Sequence, residues 1–405
     1  MFVWFYNSST NKLQSTSSEI QLIFGEHSVS SNLTRTENVH FLEYAIKRIA
    51  MAKGMTEAHA TCIAAAICFA HIQGKLNQGL GVYEAIELVF QAGALDVNAV
   101  PSIVNEDANW AVFDGKKSSG YYALTLMAEC AIEKARKTGI SIVFGSNHND
   151  AGSFAKYVYM AYEQGMVGMA SNNTVPLAAP YGGMENKLSC PPFDAIIPSG
   201  KQPPIWTSTK FAEFYDADIA EAVLFNKPMK GPWLIDPQSG ELTDDAKPYA
   251  RPIPGFGRVM DYTCGGQIET PRTYALNMWN EALTSIINPL GIPSTSMPTI
   301  EDFETADEPI PSVGGSYFIC INPAVFGSLE AVKQKSDDYV SAIRNSKARP
   351  DHKIRVPGEA GYIKIKTGDK QVEVLTSHWK PFFENIASGY GITEQQLRAE
   401  YEKLS

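Results

Sequence analysis

His148 is the side chain of this sequence whose type and place most readily suggest chemistry. It lies in the polar segment 146–150, between a predicted buried strand at residues 140–144 and a predicted helix at residues 151–164. Imidazole titrates near neutral pH, and polar groups at strand ends commonly build sites in α/β proteins. His148 is therefore a candidate general acid or base. The alternative is a structural histidine that only bonds backbone at the start of the helix.

Several motifs that would indicate other chemistry are absent. The glycine pairs at residues 79–81 and 255–257 lack the third glycine of a dinucleotide-binding fingerprint, and no Walker A or nucleophile-elbow sequence occurs. The seven histidines are far apart in sequence, and the six cysteines show no Cys-x-x-Cys spacing. We predict no metal site from local motifs, although a site assembled from distant loops stays open.

Helical and strand patterns alternate along the chain and must position these side chains. Three helical stretches fill residues 37–93, the second of them capped by Thr56, and a helix at residues 119–138 stops at Gly139. A strand at residues 166–170 follows the helix after His148. Further elements are predicted as helices at 210–225, 274–287 and 328–344, strands at 317–322 and near Tyr362 and Val372, and a last helix capped by Thr393. This order is typical of α/β architecture.

Composition excludes several classes of protein. The net charge of −10, without a block of basic residues, argues against nucleic acid as a partner. The longest apolar run, residues 62–70, is far shorter than the roughly 18 to 20 residues that cross a bilayer. Residues 1–6 lack the basic start of a secretory signal, and the scattered cysteines suit a reduced compartment. We expect a cytoplasmic protein whose residues 1–38 form a poorly ordered extension.

The serial order of several segments resembles the malate/L-lactate dehydrogenase family, which includes ureidoglycolate and sulfolactate dehydrogenases and a cyclic-imine carboxylate reductase. The most specific part runs through residues 142–148, 161–165 and 173–183, which are similar to the family's strand, Ser-Asn-His-Phe-Gly loop, helix and Pro-(Phe/Trp)-Gly-Gly turn. Supporting matches lie at residues 231–245, 271–276, 321–326 and 356–359. The resemblance covers about residues 40–375.

The resemblance implies an α/β (α+β) fold without a Rossmann domain. A helical, substrate-binding domain would come from both chain ends, residues 39–115 and 325–405, and residues 116–324 would form a cofactor domain with a largely antiparallel sheet. The cofactor would be NADH or NADPH, so the missing Rossmann glycines are no argument against a nicotinamide. The family also implies a homodimer.

The family's active-site loop is rewritten in this sequence. The family reads Arg-Gly-x-(Asp/His)-Ser-His-Gly followed by an arginine, whereas residues 73–82 place Asn77 and Gln78 at the Ser-His pair and Val82 at the arginine. An amide can hydrogen-bond a carbonyl but cannot donate and recover a proton near pH 7. His148 is then the remaining titratable family residue for proton transfer.

The motifs, the family resemblance and the substitutions relative to the family pattern together predict the residues of a site. Lys75 and Lys210 are basic residues that the family pattern lacks, and either can equally be a solvated surface lysine. The predicted catalytic residues are His148, Gln78 and Asn77; the predicted cofactor-binding residues are Asn147, Thr174, Thr207 and Arg272; the predicted substrate-binding residues are Lys75 and Tyr83.

Three functions follow from these observations. The first is an NAD(P)H-dependent oxidoreductase acting on a small 2-oxo or 2-hydroxy acid or a cyclic imine. The second is the same scaffold recruited to non-redox chemistry, such as cyclisation or isomerisation, since the substitutions gather at catalytic and cofactor positions. The third is a catalytically inactive binding subunit. Dependence of turnover on a nicotinamide separates the first from the other two.

Overall fold

The protein is described by a computed structural model that covers residues 34–214, 218–219, 222, 226–236, 238–247, 251–252, 259–260, 266–267, 270–298 and 311–404. Residues 1–33, most of the predicted extension, lie outside this set. Residues 34–38, which the sequence predicts as part of the extension, form the first strand of the fold. Within the described ranges, no helix is long and apolar enough to cross a membrane.

The helices begin and end where capping chemistry predicts. Thr56 and Thr393 cap their helices as predicted, with side-chain oxygens accepting from the backbone N–H groups of His59 and Gln396, and Gly139 ends its helix at φ 88°. The helices are α1 (Val39–Ala52), α2 (Glu57–Gln73), α3 (Val82–Gln91), α4 (Gly120–Thr138), α5 (Ala155–Glu163), α6 (Pro271–Glu281), α7 (Leu329–Arg344), α8 (Glu359–Thr367), α9 (Thr376–Lys380) and α10 (Glu394–Glu402). Wider π-helical turns, Ala282–Ile286 and Pro381–Ala387, directly follow α6 and α9.

Among the described residues, the strands form one large sheet and three small ones. They are β1 (Thr34–Asn38), β2 (Ser102–Asp107), β3 (Trp110–Ser118), β4 (Ile140–His148), β5 (Val167–Thr174), β6 (Ala178–Ala179), β7 (Pro192–Ile197), β8 (Ile205–Lys210), β9 (Leu234–Ile235), β10 (Leu242–Thr243), β11 (Arg251–Pro252), β12 (Val259–Met260), β13 (Gly266–Gln267), β14 (Val313–Ile321) and β15 (Gln371–Leu375). The large sheet has seven strands in the order β2-β3-β4-β14-β5-β7-β8. Only its β3–β4 pair is parallel among these strands, so the sheet is largely antiparallel, as predicted.

Within the part of the chain that the structure describes, three apolar clusters hold these elements together. Core 1 joins the early helices to the late ones, with Phe41 and Tyr83 packed against Trp379 and Phe382. Core 2 lies between the large sheet and helices α4 and α5, and core 3 surrounds the small sheet of β9. Burial of such apolar surface is the main driving force of folding. The division into a helical and a cofactor domain stays a prediction.

Several local predictions were wrong, among them the start of the helix at residues 210–225, because Lys210 ends strand β8 and residues 211–214 are not helical. Tyr362 lies in helix α8 rather than in a strand, because Gly358 and Gly368, both with positive φ, bound a single short helix there. The strand predicted to end at residue 144 continues to His148, and the following helix begins at Ala155 instead of residue 151. The strand continues because Ser118 of β3 pairs with His148 beyond an irregularity in β3.

Candidate functional site

A cavity of about 550 Å³ lies where helix α3, the segment after α2 and strands β7 and β8 meet. The loop between β4 and α5 and the chain leaving β5 complete its wall. One side is apolar and includes Val82, Ile86 and Leu95; the other carries hydroxyl, amide and charged groups. Mixed walls of this kind, with few polar groups, are typical of small-molecule sites.

The rewritten loop is positioned by the end of helix α2. Gly74 caps that helix in the left-handed conformation (φ 78°), and the backbone N–H of Lys75 donates to Ala70 at 2.9 Å. A short 3₁₀ turn, Leu76–Gln78, follows and brings Lys75, Asn77 and Gln78 to the cavity wall. The structure thus brings together three of the residues predicted from the sequence.

His71 braces the same loop from behind. Its Nε2 accepts the backbone N–H of Leu80 at 2.8 Å, so its Nδ1 donates to the carbonyl oxygen of Glu373 on β15 at 2.9 Å. Burial lowers the pKa of His71 to about 4, against a weaker opposing effect of the Glu373 hydrogen bond. The neutral ring therefore ties the loop to β15 at neutral pH.

Strands β7 and β8 give the opposite wall its polarity. Their antiparallel register pairs Asp194 with Ser208, and Pro192 with Lys210, so these four side chains share one face, which lines the cavity. Thr207 pairs with Ala195 and alternates to the other face of the sheet. Ser208 lies on the cavity wall, and the predicted cofactor residue Thr207 does not.

Lys75 is a charged group of the cavity wall that two hydroxyl groups hold in place. Its Nζ donates to Ser208 Oγ at 2.7 Å and to Ser153 Oγ at 3.1 Å. Burial lowers the pKa of Lys75, while the carboxylate of Asp194 opposes that shift. Asp194 is 2% exposed, and burial raises its pKa, opposed by the Lys75 charge. Lys75 is thus no solvated surface lysine, whereas Lys210 is paired with Asp218 at 2.5 Å.

His148 does not reach the cavity wall. It is fully buried at the end of β4, where its Nδ1 lies 2.8 Å from the carbonyl oxygen of Asn149 and its Nε2 3.0 Å from Ser316 Oγ. Burial lowers the pKa of His148 to about 4, which the Asn149 bond only partly opposes. With both ring nitrogens engaged inside the sheet, this conformation offers no path for a proton from His148 to a molecule in the cavity.

Of the remaining predicted site residues, one lines the cavity and three lie elsewhere in the fold. Thr174, at the end of β5, lines the cavity. Asn147 instead donates from Nδ2 to Asp114 Oδ1 at 2.7 Å, Tyr83 is buried in core 1, and Arg272 is exposed in the first turn of α6. None of these three is part of the described cavity lining.

A buried polar network fixes the end of β5 beside Thr174. Glu281 Oε1 accepts from Asn173 Nδ2 at 2.9 Å and from the backbone N–H of Ser294 at 2.5 Å, and Ser294 Oγ donates to the carbonyl oxygen of Thr174 at 2.6 Å. Burial raises the pKa of Glu281, and these hydrogen bonds oppose the rise. The network holds the Thr174 wall of the cavity in place.

Sequence reasoning missed Ser153, Asp194 and Ser208. Asp194 carried a usable signal, because a carboxylate within the otherwise apolar residues 193–198 needs a buried partner. Ser153 and Ser208 carried none, since their place on the wall depends on strand register and on the path of the 149–154 loop.

Comparison with known proteins decides the family. A family model described as malate/L-lactate dehydrogenase matches residues 38–381. The chain belongs to the malate/L-lactate dehydrogenase family. It is 25% identical to a malate dehydrogenase of Pyrococcus abyssi over 85% of this chain and 92% of that one, and 28% identical to an L-sulfolactate dehydrogenase of Methanocaldococcus jannaschii over 76% and 83%.

Solved structures of the family share the fold. Sulfolactate dehydrogenase from Methanocaldococcus jannaschii superposes with a TM-score of 0.75 at 23% identity, covering 89% of this chain and 98% of that one. Delta1-piperideine-2-carboxylate reductase from Pseudomonas syringae gives 0.70 at 17% identity, covering 82% and 94%. The predicted family, the predicted fold class and the prediction of an oxidoreductase of this type are confirmed.

Proposed function

We propose that the cavity is the active site of an NAD(P)(H)-dependent oxidoreductase acting on a small 2-oxo or 2-hydroxy acid or on a cyclic imine. One observation carries the proposal: the rewritten loop, with Asn77 and Gln78, forms a wall of the cavity together with Lys75. Family membership supports the redox class, since the relatives named above are dehydrogenases and a reductase. The non-redox alternative and the inactive-subunit alternative have no such support.

The described walls fit the nicotinamide end of the cofactor. Val82, Ile86 and Leu95 offer an apolar surface for a flat ring, and the Thr174 hydroxyl can hydrogen-bond a carboxamide. When bound, a reduced nicotinamide supplies a hydride to the substrate's carbonyl or imine carbon. Of the predicted cofactor residues, Thr174 is the one on the described wall, so phosphate binding by Arg272 stays a prediction.

The polar wall suits a small acid. The amides of Asn77 and Gln78 can donate to a carboxylate or a carbonyl oxygen, and Lys75 adds a positive charge. Val82, at the family's arginine position, cannot supply a bidentate guanidinium clamp for the substrate. Lys75 therefore takes over the attraction of the acid group in this proposal.

Binding and turnover measured separately test the function. We expect the purified chain to bind NADH or NADPH at up to millimolar concentration in calorimetry, and to oxidise it when glyoxylate, pyruvate, oxaloacetate or delta1-piperideine-2-carboxylate is added. Absence of binding for both nicotinamides would contradict the proposal. Turnover of a substrate without any nicotinamide would favour non-redox chemistry instead.

Two further properties belong to this proposal. A homodimer is supported by an exposed apolar surface that includes Leu276, Trp279 and Ile287 on α6 and the turn after it. A cytoplasmic place is supported by free cysteines among the described residues, which suit a reducing compartment.

A further inference from the structure

Lys75 has the geometry of an acid-base group rather than only of an anion anchor. Its position is set by backbone, because Gly74 ends helix α2 directly before it and the Lys75 N–H is bonded to Ala70. Its ammonium group has three N–H bonds, and the described contacts with Ser153 and Ser208 use two of them. One N–H is left for a molecule in the cavity.

Asp194 is the buried partner of this lysine. It is paired across the strands with Ser208, the residue that accepts from Lys75. Its carboxyl group is almost fully buried and lines the cavity, and the side chains of Ser208 and Trp206 lie close enough to oppose the rise of its pKa on burial. Its Oδ1 lacks a hydrogen bond of normal geometry, which leaves this oxygen able to accept a polar hydrogen from a bound molecule.

The other nearby groups are poor candidates for proton transfer. Asn77 and Gln78 do not titrate, and His148 is enclosed in the sheet. Lys210 on the same wall is ion-paired with Asp218. The charged groups that face Lys75 are Asp194 from β7, Lys210 from β8 and Asp150 from the loop after β4, while Lys364 of α8 lies beside Gly74.

We propose that Lys75 Nζ gives a proton to the substrate oxygen or imine nitrogen during reduction and takes it back during oxidation, with Ser153, Ser208 and Asp194 as positioning residues. An N–H bond of the ammonium breaks, its electron pair stays on the lysine nitrogen, and the proton forms an O–H or N–H bond on the substrate. The proton brings no electrons, and both electrons of the reduction come with the hydride. This inference rests on the proposed function.

The first experiment replaces Lys75 with alanine in the full chain and measures NADH or NADPH binding beside turnover of the four substrates named above. General acid-base groups contribute about 10²- to 10⁴-fold, so we expect Lys75→Ala to lower kcat by at least about 10²-fold while the nicotinamide Kd stays within about threefold. Methylammonium added to Lys75→Ala should restore part of the rate in proportion to its concentration. Lys364→Ala, an exposed lysine beside the same helix end, is the matched control and should keep wild-type kcat.

The second experiment uses the pH profile. Burial lowers the pKa of Lys75 from its usual 10.5, so kcat for reduction should fall along an alkaline limb that begins below pH 10.5, and kcat for oxidation should rise over the same range. Lys75→Arg, which stays charged, should lose this limb. Asp194→Asn removes the charge that opposes the shift, and the limb should move to lower pH.

The outcomes separate this inference from the proposed function. A wild-type chain that binds neither nicotinamide overturns both. A wild type that turns over, with Lys75→Ala equally active or with no rescue by methylammonium, overturns the role of Lys75 alone. Where Lys75→Ala fails to fold by circular dichroism, the pH profile of Lys75→Arg decides: an unchanged alkaline limb is the contrary result.

Discussion

The surroundings of three histidines indicate a structural role for them. His59, His71 and His148 are buried, and burial lowers the pKa of each to about 4. A histidine is easily taken for a catalyst from sequence because imidazole titrates near neutral pH. These three are held neutral instead. They therefore make the stability of the fold sensitive to acid and do not supply protons to a ligand.

Acid should therefore unfold the protein earlier than carboxylates alone would require. Between about pH 6.5 and pH 4 the unfolded chain binds protons at these histidines while the folded chain does not, so the free energy of unfolding falls as pH falls through this window. We expect a loss on the order of 1–3 kcal/mol per histidine by pH 4. Urea unfolding at pH 7.5 and pH 5 measures the slope. His148→Gln should flatten it, and replacement of the exposed His40 should leave it unchanged.

His148→Gln also tests catalysis. We expect a loss of about 1–3 kcal/mol in stability at pH 7.5, because Ser316 Oγ and the Asn149 carbonyl lose a fitted partner inside the sheet. At a temperature where the variant is folded, kcat should remain within about tenfold of wild type. A much larger loss of kcat with intact nicotinamide binding would restore His148 as the proton donor.

At the scale of elements, the end of helix α2 places the reactive side of the cavity. Gly74 and Gly368 both cap helices in the left-handed conformation, at φ 78° and φ 64°, but only the first precedes a cavity residue. An added Cβ at Gly74 would also contact the Lys364 side chain, whereas at Gly368 it would meet nothing within 4 Å. The two caps form a natural pair for comparison.

Gly74→Ala and Gly368→Ala should therefore differ in function more than in stability. Each forces alanine into a left-handed conformation, which costs about 1 kcal/mol in the free energy of unfolding. Only Gly74→Ala should displace Lys75 and so lower kcat/KM, by about tenfold or more. Thermal melts and steady-state kinetics on both variants check this. Equal kcat/KM in the two would show that the cap does not position the site.

The Glu281 network is the second positioning element. Glu281→Ala would leave Asn173 and the Ser294 N–H without an acceptor in a buried place, and we expect a loss of about 2–4 kcal/mol. Glu281→Gln keeps one acceptor oxygen and should lose less. Chemical unfolding of the two variants tests the ranking, with Glu330→Gln on the exposed face of α7 as control. A ranking with Glu281→Gln the less stable would contradict the network's role.

Much of this architecture can be predicted from residues that are neighbours in sequence. The wrong predictions concern features that depend on residues far apart in sequence. Thr56, Thr393 and Gly139 could be read as helix ends because a cap needs only neighbouring residues. The length of β4 could not be predicted from its own sequence, because it depends on pairing with Ser118 of another strand. The choice between Thr207 and Ser208 likewise depends on the β7–β8 register, which no pattern within β8 contains.

At the scale of the whole molecule, one exposed apolar surface predicts the assembly. Trp279 is 69% exposed and Ile286 70% exposed, and Leu276 and Ile287 near them in sequence are more than half exposed. We expect a homodimer that uses this surface. Trp279→Asp should shift the mass in sedimentation from dimer to monomer, whereas Phe326→Asp, 69% exposed before helix α7, should not. A monomeric wild type would rule the dimer out.

The composition of core 1 affects how the protein folds while it is being synthesised. Phe41 and Tyr83 are synthesised early, yet Trp379 and Phe382, which cover them, leave the ribosome only after about three hundred further residues. Throughout that interval the nascent chain exposes the apolar surface of core 1 that these late residues cover in the finished fold. Its yield in a cell should therefore respond to chaperone supply and to translation speed more strongly than the stability of the finished protein would suggest.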